Sequence, residues 1–232
     1  GKLIEVPYTD ENKIKIDKDN ISEIFSNPNT RVSRLKRLIN SKKIVRFIES
    51  HNPLTGLMIE NLKFENKDQY REFDGIWSSS LTDSVSNGKP DNQSLELTTR
   101  ISNLNNVMEA TTKPVLFDAD NGGRIEHLQY TIRNLERLGV SAIAIEDKIG
   151  LKSNSLFKVQ NKKNHDSVKN FCLKIKTACD VRRSEDFLIV AWIESFILGK
   201  DLKDAIRRAE AYSKAGADLI LIHSKMDSPK EI

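Results

Sequence analysis

Six short apolar runs recur along the chain, each closed by polar residues, and this alternation constrains the fold more than any other feature. They are IVRFIES (44–50), FDGIWSSS (73–80), KPVLFDAD (113–120), SAIAIED (141–147), FLIVAWIES (187–195) and ADLILIHS (217–224). A strand with one wet face alternates apolar and polar residues. A continuous apolar run implies burial on both faces, the pattern of a parallel sheet covered by helices. The segments between the later runs read as those helices: Leu128, Ile132, Leu135 and Leu138 share one face, and so do Leu202, Ile206, Ala209 and Tyr212. Both segments end at a glycine, Gly139 and Gly216, the residue best suited to a left-handed helix stop.

Repeated strand–helix units give either an open doubly wound sheet or a closed barrel. Polar residues decide between them. They gather just past every run: Glu49, Ser50 and His51; Ser78, Ser79 and Ser80; Asp118 and Asp120; Glu146 and Asp147; Glu194 and Ser195; His223 and Ser224. A barrel places its site at that rim, whereas an open sheet concentrates it in one crevice. No GxGxxG or GxxxxGK[ST] nucleotide fingerprint occurs. The expected fold is therefore α/β, a (β/α)8 TIM-type barrel that is incomplete in this chain, with about six of its eight strand–helix units. The chain reads as a window from a longer polypeptide. Residues 1–30 break the alternation and read as a linker or remnant of an upstream domain; residues 31–232 read as the barrel, truncated at its C-terminal end.

The net charge of +4 is spread along the chain, with no basic stripe of the kind that binds nucleic acid. No apolar run approaches the length that crosses a bilayer, and no charged-then-apolar leader opens the sequence. The two cysteines, Cys172 and Cys179, lie seven apart in a helix-like segment. They read as packing residues in a reducing cytoplasm rather than a disulfide framework.

Three stretches carry residue types suited to chemistry. In LFDADNGG (116–123), Asp118 and Asp120 share one face of an extended strand end. Carboxylates held together repel, and an oxygen-only set relieves this with a hard cation such as Mg2+; Glu146 would be a third acid. The alternative is a pair of capping or solvated aspartates. In EDKIGLKSNS (146–155), Lys148 and Lys152 would neutralise an anion and Asn154 and Ser155 would hydrogen-bond its oxygens. The glycine between them suggests a lid, with Leu156 and Phe157 as its latch; the alternative is a solvated loop. In WSSSLTDSVSNGKPD (77–91), three serines offer donors and a Gly–Pro turn positions Asp91, which alternatively caps a helix starting near Ser94. His51 and His223 each follow a strand, where a lone histidine is more often structural than catalytic.

Together the blocks HNPLTGL, FDGIWSSSL, GKPD, FDAD, IEDKIGLKSNS and RAEAYSKAGADLILIHS resemble the phosphoenolpyruvate mutase branch of the isocitrate lyase superfamily, from about Arg34 onward. The pattern EDK-x-x-x-K-x-N-S is the most specific part; the lyases of the superfamily carry a cysteine-containing loop there, and this chain has none. The resemblance implies a barrel forming homo-oligomers and a Mg2+-dependent interconversion of phosphoenolpyruvate and phosphonopyruvate. It implies Asp118 as Mg2+ ligand, with Asp120 and Glu146 holding the ion's waters. Trp77, Ser79, Ser80 and Leu81 would line the substrate site, with backbone amides on its oxyanions. Asp91 would lie beside the migrating phosphoryl group, Lys152, Asn154 and Ser155 on a gating loop, and His223 against phosphoryl oxygens.

One position departs from the pattern. The family has an arginine where this chain reads VAWIES, with Trp192 in its place. An arginine fork grips phosphate or carboxylate with two bonds, while an indole offers one N–H. Losing a charge-assisted contact costs about 1.5–3 kcal/mol. The readings left open are the mutase, a phosphonopyruvate hydrolase, a carbon–carbon lyase, and an impaired barrel that binds an anion or a protein. The opening GKLIEVPYT (1–9) is similar to the end of a cytidylyltransferase-like domain, which in some phosphonate-pathway proteins precedes the mutase.

Overall fold

The structure, a computed structural model, describes residues 25–66, 69–155 and 160–227. The expected latch residues Leu156 and Phe157, and the expected linker residues 1–24, lie outside that part. All six apolar runs are strands: β1 (Phe47–Glu49), β4 (Gly75–Ser78), β5 (Val115–Asp118), β6 (Ala142–Glu146), β7 (Leu188–Ile193) and β8 (Leu219–Ile222). They form one six-stranded sheet in chain order, β1-β4-β5-β6-β7-β8, with every neighbouring pair parallel. The sheet curls into an incomplete barrel with β1 and β8 at its edges. A small antiparallel pair, β2 (Phe64–Asn66) and β3 (Gln69–Arg71), lies between β1 and β4 in the chain; the sequence reading had not found it.

The continuous apolar runs follow from burial on both faces. Phe117, Ile143, Ile145, Ile189, Ala191 and Ile193 belong to one apolar mass. It also holds Leu128, Ile132 and Leu135 of α5 (Ile125–Leu138), Phe171 and Ile175 of α6 (Val168–Val181), and Ala205 and Tyr212 of α7 (Leu202–Lys214). Leu116, Ala142, Ala144, Leu188 and Val190, the strand residues of opposite parity, form a second mass with Phe47, Trp77, Trp192, Leu219 and Leu221 packed against it. The first mass joins sheet to helices and the second fills the concave face. Leu35 of α1 (Pro28–Ser41) is in the second mass. Arg31 ties α1 to the segment before β5 by donating to the carbonyls of Met108 and Thr111, and Ser141 Oγ donates back to the Arg31 carbonyl at 2.6 Å.

The helix stops form as expected. α5 ends at Leu138 and Gly139 takes φ 94°; α7 is followed by Gly216 at φ 109°. At Gly139 the need is double, because a Cβ there would lie 2.8 Å from the Cα of Pro28 at the start of α1. The remaining helices are α2 (Pro53–Asn61), α3 (Ser80–Ser86) and α4 (Leu97–Glu109). The stretch HNPLTG makes a helix start: Asn52 and Thr55 form a reciprocal capping box with Pro53 in the first turn. Cys172 and Cys179 are free thiols on α6, packed against the helix-side core. Among the described residues no helix is long and apolar enough to cross a membrane.

Candidate active site

The strand tips converge. A cleft of about 220 Å³ is lined by Glu49 from β1, Trp77, Ser79, Ser80 and Leu81 around the β4 tip, and Asp118, Glu146, Trp192 and His223 from β5 to β8. Asp91 and the loop residues Lys152, Asn154 and Ser155 complete the wall. Of the described residues singled out from the sequence, Asp120, Lys148 and His51 stand outside this lining, and Asp120 is tied to it through Lys152. A second cavity, about 230 Å³, lies on the far side of Asp120 and contains none of the others. His51 does not line the cleft; its carbonyl accepts from Asn103 at 2.8 Å.

Asp118 is held from three directions. The backbone N–H and hydroxyl of Ser80 donate to its Oδ2 at 3.0 and 2.7 Å, and the Asp120 N–H donates to its Oδ1 at 2.9 Å. Ser80, a lining residue of the cleft, thus gives both its N–H and its hydroxyl to a carboxylate. The turn that lets Asp120 N–H reach back requires a left-handed Asp120, φ 52°, which non-glycine residues seldom adopt. The Lys152 ammonium is paired with Asp120 and Ser80, and with Asp91 at 2.7 Å. Asn154 Nδ2 donates to the other oxygen of Asp91 at 2.8 Å. Asp91 is thus not a helix cap: α4 begins at Leu97 after Glu96, and Asp91 joins the loop carrying Lys152 to the tip of β4.

A second network runs across β6, β7 and β8. Lys148 Nζ lies 3.2 Å from Glu146 and 3.1 Å from Glu194, and donates to Ser155 Oγ at 2.7 Å. Ser155 in turn donates to Glu194 Oε2 at 2.7 Å, and His223 Nδ1 meets Glu194 Oε1 at 2.5 Å. Glu194 is fully buried and is a site residue that the sequence reading passed over, although its place at the β7 tip was visible. Arg100 was also missed. It arrives from α4, pairs with Asp83 at 3.0 Å and lies 3.5 Å from Asp120.

Charge explains the titration of these groups. Burial raises Asp118, but the charges of Lys152 and Arg100 and the Ser80 hydrogen bond bring it below its ordinary value. Asp120 is raised, by burial and then by the charge of Asp118. Burial pushes Glu146 up to about 8, with Glu194 and Asp118 adding to the shift and Lys148 opposing it. Burial pulls Lys152 down, yet the charges of Asp118, Asp120 and Glu146 prevail and raise it. Glu194 is lowered: burial is outweighed by its bond to His223 and the charge of Lys148.

Acidic side chains outnumber basic ones in the cleft, with Glu49, Asp91, Asp118 and Glu146 facing Lys152 as the one lysine or arginine in its lining. As placed, no three metal-binding side chains among the described residues converge on one point, and Lys152 serves as counter-cation to Asp120 and Asp91. The donor set of Asp118, Asp120 and Glu146 is all oxygen, and its excess charge suits Mg2+.

The family of phosphoenolpyruvate phosphomutases matches residues 35–232. The phosphoenolpyruvate phosphomutase of Tetrahymena pyriformis is 34% identical over 209 residues, 90% of this chain and 66% of that protein. The crystal structure of a phosphoenolpyruvate phosphomutase from Streptomyces platensis subsp. rosaceus superposes with a TM-score of 0.78 at 37% identity, covering 86% of this chain and 66% of that one. A phosphonopyruvate hydrolase crystallised with oxalate and Mg2+ superposes with a TM-score of 0.74 at 29% identity, covering 87% and 65%. The chain spans about two thirds of the length of these relatives.

Proposed function

The chain belongs to the phosphoenolpyruvate phosphomutase family, and on that premise we propose that it interconverts phosphoenolpyruvate and phosphonopyruvate. The P–O bond to the enol oxygen breaks, a P–C bond forms at the methylene carbon, and no atom is gained or lost. The observation that carries this reading is the bridge from Asp91 to Lys152 and Asn154. It draws the 148–155 loop onto the cleft, opposite the acids of β5 and β6.

A migrating phosphoryl group with metaphosphate character needs positioning and charge more than a strong nucleophile. Asp118, Asp120 and Glu146 would hold Mg2+, which supplies positive charge to steady an enolate oxygen. Lys152 adds a cation between Asp91 and Asp120, and Asn154 and Ser155 bring their polar groups to the same wall. An ionised Glu194 keeps the proton of His223 on Nδ1, which fixes the ring orientation. A loop fastened at Asp91 excludes water, the competing acceptor of the phosphoryl group. In the direction of phosphonopyruvate this chemistry opens phosphonate biosynthesis.

Phosphorus NMR of the chain with phosphonopyruvate and Mg2+ tests the proposal: phosphoenolpyruvate should appear, and chelation of the metal should stop it. The 29% identical hydrolase supports a second reading, under which the same sample yields inorganic phosphate and pyruvate. Phosphonopyruvate left intact with Mg2+ present would refute both.

A further inference from the structure

Two cations of different origin hold Asp120. Its Oδ1 pairs with Lys152, which the 148–155 loop brings to the cleft wall. Its Oδ2 lies 3.5 Å from Nη1 of Arg100, which belongs to α4. The first cation moves with the loop, whereas the second is fixed to the scaffold. Three further contacts hold Arg100 in place. Its Nε donates to Asp83 Oδ2 at 3.0 Å, its Nη2 donates to the Ser78 carbonyl at 3.4 Å, and its Cζ lies over the Phe117 ring, 4.5 Å from the centroid. Ser78 and Phe117 belong to β4 and β5, the strands that lead into Ser80 and Asp118. Only 3% of the Arg100 side chain is exposed.

Asp120 needs such a fixed partner. Its backbone is left-handed, φ 52°, and its carboxylate shares the β5 tip with that of Asp118, where like charges repel. Room for it to turn away is at hand, because the second cavity, about 230 Å³, is lined by both Asp120 and Arg100. A carboxylate that swung into that cavity would be lost to the cleft.

We propose that Arg100 is a positioning residue: it clamps the Asp120 carboxylate against escape into the second cavity and keeps it turned toward Lys152 and the acids of the cleft. The inference rests on the reading of Asp118, Asp120 and Glu146 as a Mg2+ site and deepens it. The sign of one effect separates a clamp from a mere charge. A nearby cation repels a metal ion, so Coulomb's law alone has the site bind metal more tightly once Arg100 is neutralised. Loss of a clamp has it bind more weakly.

Mn2+, a paramagnetic substitute for Mg2+, titrated into the 232-residue chain and followed by electron paramagnetic resonance reads the site without substrate or turnover. Arg100→Met removes the charge and keeps an apolar stem for the Phe117 ring. It also leaves the buried Asp83 without its cation, so the double variant Arg100→Met/Asp83→Asn, which removes both charges of that pair, is measured beside it should the single change disturb the fold. The expected result is a Kd for Mn2+ raised about tenfold in both. In an Asp120→Asn background Arg100→Met should change the Kd by less than about twofold, since the clamp acts through Asp120. Unchanged or tighter Mn2+ binding would leave Arg100 as a bystander or a simple repulsive charge, and would overturn the inference while the metal reading stands. An equal loss in the Asp120→Asn background would assign Arg100 a purely structural role and overturn it too. A parent chain that binds no Mn2+ would remove the metal reading and the inference with it.

Discussion

Replacing Asp147 by asparagine should be among the most damaging isosteric changes in the molecule. Asp147 follows Glu146 at the β6 tip and is completely buried. Its Oδ2 accepts from the Tyr212 hydroxyl at 2.8 Å and from Arg208 at 3.0 Å, and faces His165 Nε2 at 3.1 Å; its Oδ1 accepts from the Glu194 N–H at 2.9 Å. An asparagine amide has one acceptor and one donor end. If its NH2 takes the Oδ2 place it confronts three donors; if it flips, it confronts the Glu194 N–H. Either way Arg208, itself buried, loses one of its two ionised partners and keeps only Asp204. Breaking a buried pair from one side costs about 3–5 kcal/mol. For a chain of this size each kcal/mol shifts Tm by about 2–4 °C, so the drop should be roughly 6–20 °C. Thermal unfolding followed by circular dichroism reads it directly. Tyr212→Phe removes one of the donors and should cost about 1 kcal/mol; in the Asp147→Asn background it should cost less, because the pair is coupled. A Tm within 2 °C of the parent, or strict additivity of the two changes, would refute the account of Asp147 as the hub joining β6, β7 and α7.

Three other expectations follow from local geometry. Gly139→Ala combines a left-handed backbone with a Cβ 2.8 Å from Pro28 and should destabilise by more than about 1 kcal/mol, read as a lower urea midpoint with unchanged m-value. Burial raises Asp204, but hydrogen bonds from Arg207, Ser195 and Arg208 outweigh it and hold it at about 2, below its ordinary 3.8. The stability this lends is fully present above pH 3.8 and lost as pH falls through about 2, so Asp204→Asn should flatten the acid limb of the stability–pH curve in that window and lower the plateau above it. Trp192→Arg, which restores the charged fork of the family pattern, should raise phosphonopyruvate turnover at least about tenfold, since a charge-assisted contact contributes about 1.5–3 kcal/mol; equal or lower turnover in the phosphorus NMR assay would count against a substrate contact at residue 192.

The sheet was legible because burial on both faces leaves a direct trace in composition. Each apolar run became a strand, in order, since residues such as Leu116 and Phe117 enter different cores and both must be apolar. The gathering of acids, lysine and histidine was legible for the same reason, as strand tips are where the runs turn polar. What escaped depends on packing between elements distant in sequence. Arg100 and Asp83 meet on separate helices, and neither helix announces a site. Glu194 looked like an ordinary tip charge until the β6–β7 register brought it against Lys148. The sequence shows a hydroxyl at Ser80 after a strand, but not that Asp118 lies within its reach. The β2–β3 pair went unread since FENKDQYR (64–71) is polar apart from Phe64 and Tyr70 and lacks period-two alternation.

The separation of two apolar masses on opposite sides of one sheet has an evolutionary consequence. Helices lock onto the outer face, while the side chains that shape the reaction chamber, Trp77 and Trp192 among them, grow from the inner one. A lineage can therefore exchange a chamber residue, and with it the chemistry admitted, without re-matching α5, α6 or α7 to its strand. The tryptophan at position 192 occupies a site where such an experiment by natural selection is cheap.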